Sequence, residues 1–361
     1  MIKLNNTFFK ILLLSFCLLT IFAFQKTNYL CIKNTISVFL ESVMPSLFPF
    51  ILFTNILILS DTASLITKFS KKYGYILYAG FIGFLCGYPM GAKATFTLYS
   101  QGNLSKKQTR FLMSFANNCN PIFIMSTIGL CVLNNITLGL LLLISHYVSA
   151  IIICTFNFFY NDIIHENVKN SNSFSKDIDK KLHKSVFEII DTSIKSTFIT
   201  LGNILGFILI FNLLFSVIEK ILLNFNVSSN IIYMISPLFE VTNGTRLLYL
   251  NTDYNFNILI AAISFMLSFS GLSIIFQIYS CIYKSGIKIW HIIKYKFIQG
   301  VLSAVITYML LNICNTNVGK SNILTNFNSA SYFLIIASCL FIFSSIINIC
   351  KVYINLCQFR V

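Results

Sequence analysis

The sequence predicts an all-α polytopic membrane protein, with about eight transmembrane helices plus two re-entrant hairpins arranged as an inverted repeat. Three observations carry that prediction. Apolar residues make up 56% of the 361-residue chain and charged residues 10%, with a mean hydropathy of +0.79, a balance that suits neither a soluble domain nor a disordered one. Apolar stretches long enough to cross a bilayer, which takes about 20 residues of helix, recur along the whole chain. Two of these stretches are interrupted by helix-breaking residues, at equivalent places in two similar halves.

Taken in order, the run from Met1 to Phe24 starts like a secretory signal, but Phe22-Ala23-Phe24 lacks the small-x-small cleavage pattern, so a retained first span is expected. Spans are expected near 8 to 24, 36 to 60, 111 to 133, 136 to 159, 186 to 218, 258 to 283, 297 to 313 and 330 to 350. The segments near 75 to 99 and 230 to 250 fit differently. Gly87-Tyr-Pro-Met-Gly91 breaks the first; Pro237 and Glu240-Val-Thr-Asn-Gly244 break the second. Irregular backbone at membrane depth leaves N–H and C=O groups unpaired, and it is tolerated only when buried in protein or lining a wet cavity. Each segment is therefore read as a re-entrant hairpin.

Loop charges agree with this reading. Lys68, Lys71 and Lys72 precede the first broken segment and Lys106, Lys107 and Arg110 follow it; cytoplasmic loops carry the excess of Lys and Arg, so the segment enters and leaves on one side. Lys169 to Lys184, Lys284, Lys288, Lys294, Lys296, Lys351 and Arg360 are expected inside too, with both termini cytoplasmic and Lys26 and Lys33 the discordant pair. The organisation is one membrane domain: a first half at 36–133, a polar linker at 160–185, a second half at 186–283 and C-terminal helices at 297–361.

The net charge of +15 is scattered over short loops, a topological pattern that excludes a nucleic-acid patch. The eleven cysteines lie mostly in apolar segments, without a CxxC pair or a histidine cluster at metal spacing, and read as small buried hydrophobes. No metal, cofactor or catalytic residue is expected, since no Ser-His-Asp set, HExxH or phosphate loop appears. Lipid is an obligate partner; self-association is left open.

The halves resemble each other. Met44-PSLFPFILFTNIL-Ile58 aligns with Leu201-GNILGFILIFNLL-Phe215, and Gly91-Ala-Lys93 stands about 153 residues before Gly244-Thr-Arg246. With the loop charges above, the two halves run in opposite directions. That inverted repeat is the architecture of many secondary transporters, in which broken helices meet at the midplane and form the substrate site.

The candidate site follows from the breaks. Gly87, Tyr88, Pro89 and Gly91 free backbone groups and expose a helix N-terminus to an anion, and Gly244 with Thr242 and Asn243 repeats the device. Lys93 and Arg246 add charge, either as part of the site or as cations snorkelling to the interface. Asn117, Asn118, Asn120 and Pro121 break the following span, and Ser268, Ser270 and Gly271 occupy the equivalent place in the second half, with Gln277 beyond. These amides and hydroxyls bind either one another or a polar substrate. Glu240 either carries a coupled proton or pairs with Arg246; His146 reads as a satisfied core histidine ahead of a proton relay.

At these residues the chain resembles the YlbJ/SpoVV sporulation membrane proteins. The resemblance rests on Gly87-Tyr-Pro-Met-Gly-Ala-Lys93, Gly102-x-Leu-Ser105, Phe115-x-Asn117-x-x-x-Pro121-x-Phe123, Glu240-Val-Thr-Asn-Gly244 and Ser268-Phe-Ser-Gly-Leu-Ser273 with Gln277, and covers roughly residues 36 to 285. It departs from the family at Cys119-Asn120, where members more often carry Ser-Gly or Ala-Gly. It implies a nucleoside-recognition gate pattern and export of dipicolinic acid from the mother cell across the outer forespore membrane. Two other readings stand beside it: a transporter of nucleosides or another small polar solute, and a non-transporting membrane scaffold of sporulation.

Overall fold

A computed structural model of the chain describes residues 25–60, 62–64, 73–160, 185–252 and 254–313. The spans expected near 8 to 24 and 330 to 350 lie outside the described residues, as does nearly all of the polar linker. Within them the order of helices repeats. The first half runs α1 (Gln25–Leu59), α2 (Gly74–Leu85), α3 (Met90–Ser100), α4 (Lys106–Phe115), α5 (Phe123–Val132) and α6 (Ile136–Tyr160). The second runs α7 (Val186–Asn224), α8 (Ser229–Phe239), α9 (Val241–Asn251), α10 (Phe256–Phe269), α11 (Gly271–Ile282) and α12 (Ile289–Ile313). Each half is thus a long helix, a pair of short helices, a broken helix and a straight helix.

Among the described residues five helical stretches are long and apolar enough to cross a membrane: Gln25–Leu59, Ile136–Phe159, Val186–Asn224, Phe256–Ser285 and Ile289–Ile313. The surface is apolar where lipid would lie, with Phe53, Phe81, Phe156, Phe198, Ile199 and Phe297 exposed, while Asn118, His146, Ser268 and Gln299 are buried. Hydrocarbon outside and amides inside reverse the soluble pattern and match a bilayer as solvent.

The long helices α1 and α7 pack antiparallel and exchange asparagine–threonine bonds. Asn55 Nδ2 donates to Thr197 Oγ1 at 3.0 Å, and Asn212 Nδ2 donates to Thr35 Oγ1 at 3.1 Å. The asparagines occupy aligned positions of the repeat, while their threonine partners, Thr197 and Thr35, do not, so the two bonds are alike in chemistry and differ in register along the helices. Within α1, the missing Pro45 N–H and the ring's clash with the preceding turn are accommodated by a π-helical stretch at Phe39–Val43.

The α2–α3 and α8–α9 pairs form tight antiparallel hairpins. Each arm has 11 or 12 residues, about 17 Å of helix or roughly half the hydrocarbon core. Close backbone approach explains the glycines. A Cβ on Gly91 would lie 2.0 Å from the Ala116 carbonyl oxygen and 2.8 Å from Gly83 Cα; one on Gly244 would lie 2.4 Å from Pro237 Cα.

Each hairpin tip abuts the break in the following helix of its own half. Tyr88 N–H donates to Asn118 O at 2.8 Å, and Gly87, at φ 76°, leaves no room for a side chain against the Asn120 backbone. In the second half Ser270 and Gly271 turn through left-handed conformations, with Gly271 against the Pro237 carbonyl. The expected span at 111–133 is accordingly α4 and α5 on either side of the irregular 116–120 stretch.

Two expected starts move furthest: α1 begins at Gln25 instead of near 36, so Lys26 and Lys33 lie within the helix and not in a loop before it. α12 starts at Ile289 instead of near 297, and Lys296, expected in an inside loop, is 4% exposed within that helix. Its core-facing neighbours Ile292, Gln299, Gly300, Ser303 and Thr307 recur at helical spacing. Ser303 and Thr307 join Ser264 of α10 through bonds of 2.8 and 2.7 Å. By position α12 is the fourth element of the second half, the counterpart of α6.

Candidate functional site

The tips of both hairpins and the break of the first half converge on one buried cavity. Tyr88 contributes from the first tip, Cys119 and Asn120 from the first break, Glu240, Val241 and Thr242 from the second tip, and Gln277 from α11. Val43 and Leu47 of α1, Ile204 and Ile208 of α7, Phe123 and Ile274 complete it. Leu47 and Ile204 occupy equivalent positions of the aligned repeat, so both halves supply the walls. The volume, about 20 Å³, suits about one water molecule.

Polar groups face this cavity in an unfinished state. Asn120 Oδ1 caps the next helix by accepting from the Ile122 N–H at 2.8 Å and the Phe123 N–H at 3.4 Å, leaving its Nδ2 without a partner. Gln277 Nε2 donates to Ser273 Oγ at 3.2 Å, leaving Oε1 without a partner. A buried, unpaired amide group costs about 1 to 3 kcal/mol, and these two are 1% and 3% exposed. The cavity therefore offers a donor and an acceptor.

Glu240 occupies the α9 N-terminus. Its Oε1 accepts from the Thr242 N–H at 2.9 Å and its Oε2 from the Asn243 N–H at 2.8 Å, with the side chain 2% exposed. The helix end that the sequence reserves for a substrate anion thus already holds the chain's own carboxylate. No Glu240–Arg246 ion pair forms: the carboxylate is committed to α9 backbone and Arg246 is exposed. At the equivalent N-terminus of α3, Pro89 provides no side-chain cap.

The cations stand apart from the cavity. Lys93 Nζ donates to Asn55 Oδ1 at 2.9 Å, Ser196 Oγ at 2.8 Å and Thr200 Oγ1 at 3.5 Å, bridging the first hairpin to α1 and α7. Of the sequence candidates, Tyr88, Asn120, Glu240, Thr242 and Gln277 share the cavity. Gly87, Pro89, Gly91, Pro121, Asn243, Gly244, Ser270 and Gly271 shape the backbone at tips and breaks.

Asn117, Asn118 and Ser268 belong to a second constellation behind the cavity, which sequence reasoning misses in its most important member. Lys296 Nζ donates to Asn117 O, and to Gln299 Oε1 at 3.1 Å. Gln299 Nε2 donates to Asn118 Oδ1 at 2.9 Å and His146 O at 3.3 Å. The Cys119 N–H donates to His146 Nε2 at 2.9 Å, which fixes the proton on Nδ1, and Nδ1 donates to Ser268 Oγ at 2.7 Å. His146 is thus a satisfied core histidine joining the breaks of both halves. The signal for Lys296 was the polar stripe Lys296, Gln299, Ser303, Thr307 at helical spacing, hidden by reading its lysine as loop charge.

Fold and site together define an all-α polytopic membrane protein whose halves each turn a helical hairpin against a broken helix. Among characterised proteins the chain is similar to the sporulation integral membrane protein YlbJ of Bacillus subtilis (strain 168), 25% identical over 324 residues that cover 81% of this chain and 79% of that one. A likeness over about four-fifths of both chains supports the YlbJ family, and with it an integral membrane protein of sporulation. No family model matches the chain, and no solved structure matches it.

Proposed function

We propose that the protein is a secondary transporter of a small polar anion, with dipicolinate, implied by the family resemblance, as its substrate and the outer forespore membrane as its location. The observation that carries this reading is the convergence of hairpin tips and broken helix from both halves on one buried cavity with an unpaired donor at Asn120 and an unpaired acceptor at Gln277. Broken helices with unpaired groups are costly in a scaffold and useful in a carrier.

Carboxylate is the favoured ligand chemistry because the α9 N-terminus already binds one, that of Glu240, through two backbone N–H groups. A substrate carboxylate reaching this helix end displaces Glu240 from the Thr242 and Asn243 N–H groups. The cavity must widen to admit an aromatic dicarboxylate, so the reading assigns the observed state to the occluded part of an alternating-access cycle. Hairpins entering from opposite membrane faces would let either tip withdraw alone.

A neutral polar solute such as a nucleoside is the second reading. It is favoured by the cavity lining itself, where amides and a carboxylate are present and neither Lys93 nor Arg246 takes part. Uptake of labelled dipicolinate and nucleosides into proteoliposomes, measured side by side, separates the two. Saturable dipicolinate flux abolished by Asn120→Ala and Gln277→Ala supports the first; nucleoside flux alone supports the second; flux of neither overturns both.

A further inference from the structure

A second and larger cavity, of about 660 Å³, opens between the start of α4 and the start of α12. Its size falls in the range of about 300 to 1,000 Å³ usual for small-molecule sites. Lys106, Lys107, Arg110, Lys288 and Lys294 line it, and no Asp or Glu does among the described residues. The two walls are joined by His291 Nε2, which donates to the Arg110 carbonyl at 2.8 Å.

Positive-inside topology accounts for lysines on this face but not for their convergence, from segments far apart in sequence, around one concavity. Nor does it account for the inner end, where Ser114 and Asn157 are buried. There Tyr295 OH donates to Asn157 Oδ1 at 2.9 Å and Asn157 Nδ2 donates to Ser114 Oγ at 3.2 Å. Cations around the concavity supply the long-range attraction a small dianion requires, while the inner hydroxyls and amide form a chain that ends on the Phe111 carbonyl, at 2.6 Å from Ser114 Oγ, and an entering ligand is oriented by exchanging with those bonds. Asn117 and Asn118, held by Lys296 and Gln299, lie along the chain between Ser114 of this cavity and Asn120 of the central one.

We infer that this basic cavity is a loading site for small dianions, and that the Lys296-centred hydrogen-bond network is the closed partition between it and the central cavity. The anion site stands on its own lining; the choice of a dicarboxylate as its natural ligand rests on the transporter reading. A phospholipid headgroup carries the same charge chemistry, but the buried Ser114–Asn157–Tyr295 end favours a solute that enters fully.

Trp290 lines the cavity and is the only tryptophan in the chain, so its fluorescence reports occupancy directly. The full chain in nanodiscs of zwitterionic lipid is titrated with dipicolinate and, separately, with inorganic phosphate; a parallel set contains phosphatidylglycerol. Saturable, salt-sensitive quenching in zwitterionic discs is expected. Arg110→Gln with Lys294→Gln should weaken it about tenfold or more, while Arg110→Lys, Asn120→Ala and the distant Lys195→Gln should leave it intact. A response to phosphatidylglycerol without any response to soluble dianions overturns the inference in favour of a lipid site, and no response in either set reduces the lysines to topology. Dianion binding without flux in proteoliposomes keeps this site and removes the transporter reading; flux without Trp290 quenching does the reverse.

Discussion

Lys93 donates to Asn55 Oδ1 at 2.9 Å and so spends its charge on tying the first hairpin to α1 instead of facing the central cavity. Ser196 and Thr200 of α7 share the same ammonium, which makes Lys93 a clamp between the halves. Lys93→Met keeps the apolar stem and deletes the donors. Loss of a charge-assisted contact costs about 1.5 to 3 kcal/mol when the acceptors stay buried and somewhat less here, where the group is partly buried. The expected outcome is a lower thermal midpoint in detergent with substrate affinity little changed. A variant of unaltered stability and lost affinity would put Lys93 on the substrate path.

Lys296 should matter more. It is buried, and Lys296→Met leaves both the Asn117 carbonyl and Gln299 Oε1 without this donor. Each orphaned group costs about 1 to 3 kcal/mol, so denaturation should show a larger loss than for Lys93→Met. Because Gln299 belongs to the same network, Lys296→Met with Gln299→Leu should cost less than the two single changes added. Strict additivity would argue that the residues act separately.

The contrast between these lysines shows what the sequence made legible. Breaks at Gly87–Gly91 and Glu240–Gly244 were readable because glycine and proline disturb a helix wherever it lies, and the repeat was readable because both halves bury equivalent faces. The aligned Asn55 and Asn212 were visible as matching letters, but their reciprocal bonds to Thr197 and Thr35 depend on how α1 and α7 cross. Charge was the least legible property: Lys93 and Arg246 occupy matching places in the repeat, yet one is clamped between helices and the other is exposed. The basic cavity escaped for a related reason, since its cations come from the starts of α4 and α12, two segments that only tertiary packing brings together.

Glycine substitutions separate close approach from propensity. Gly244→Ala places a methyl 2.4 Å from Pro237 Cα, so the second hairpin has to splay, whereas a Cβ at Gly202 meets nothing within 4 Å. Gly202→Ala is expected to be neutral or to stabilise by roughly 0.5 to 1 kcal/mol, the difference between the two residues in a helix. Gly244→Ala should reduce the monodisperse yield sharply. Equal yields from the two variants would mean that the α8–α9 packing is looser than these distances.

Glu240 supports a graded test. Its two oxygens cap α9 through the N–H groups of Thr242 and Asn243. Gln keeps one acceptor and Ala keeps none, so stability should fall from wild type to Glu240→Gln to Glu240→Ala, the full loss being about 0.5 to 2 kcal/mol as for other N-caps. If the carboxylate also carries a coupled proton, Glu240→Gln fixes the neutral form, and transport should persist while its dependence on pH disappears. A Gln variant with unchanged flux and an unchanged pH profile would confine Glu240 to capping.

The opposed entry of the hairpins is the part of the reading on which alternating access depends, and it is tested by accessibility from each side of the membrane. Each hairpin has arms of half-span length and a tip packed against a helix break, so both ends of a hairpin should surface on the same face. Single cysteines at Tyr73 and Lys106 flank the first, and at Ser229 and Tyr254 the second, in a background from which the eleven native cysteines have been removed. A membrane-impermeant thiol reagent added to right-side-out cells should label Ser229→Cys and Tyr254→Cys and spare Tyr73→Cys and Lys106→Cys until the membrane is opened. The Lys106 face also carries Lys288 and Lys294 in the same cavity, as the excess of Lys and Arg on cytoplasmic loops requires. Labelling that splits either pair would turn that hairpin into a thin full span, and labelling of all four from one side would remove the inversion between the halves.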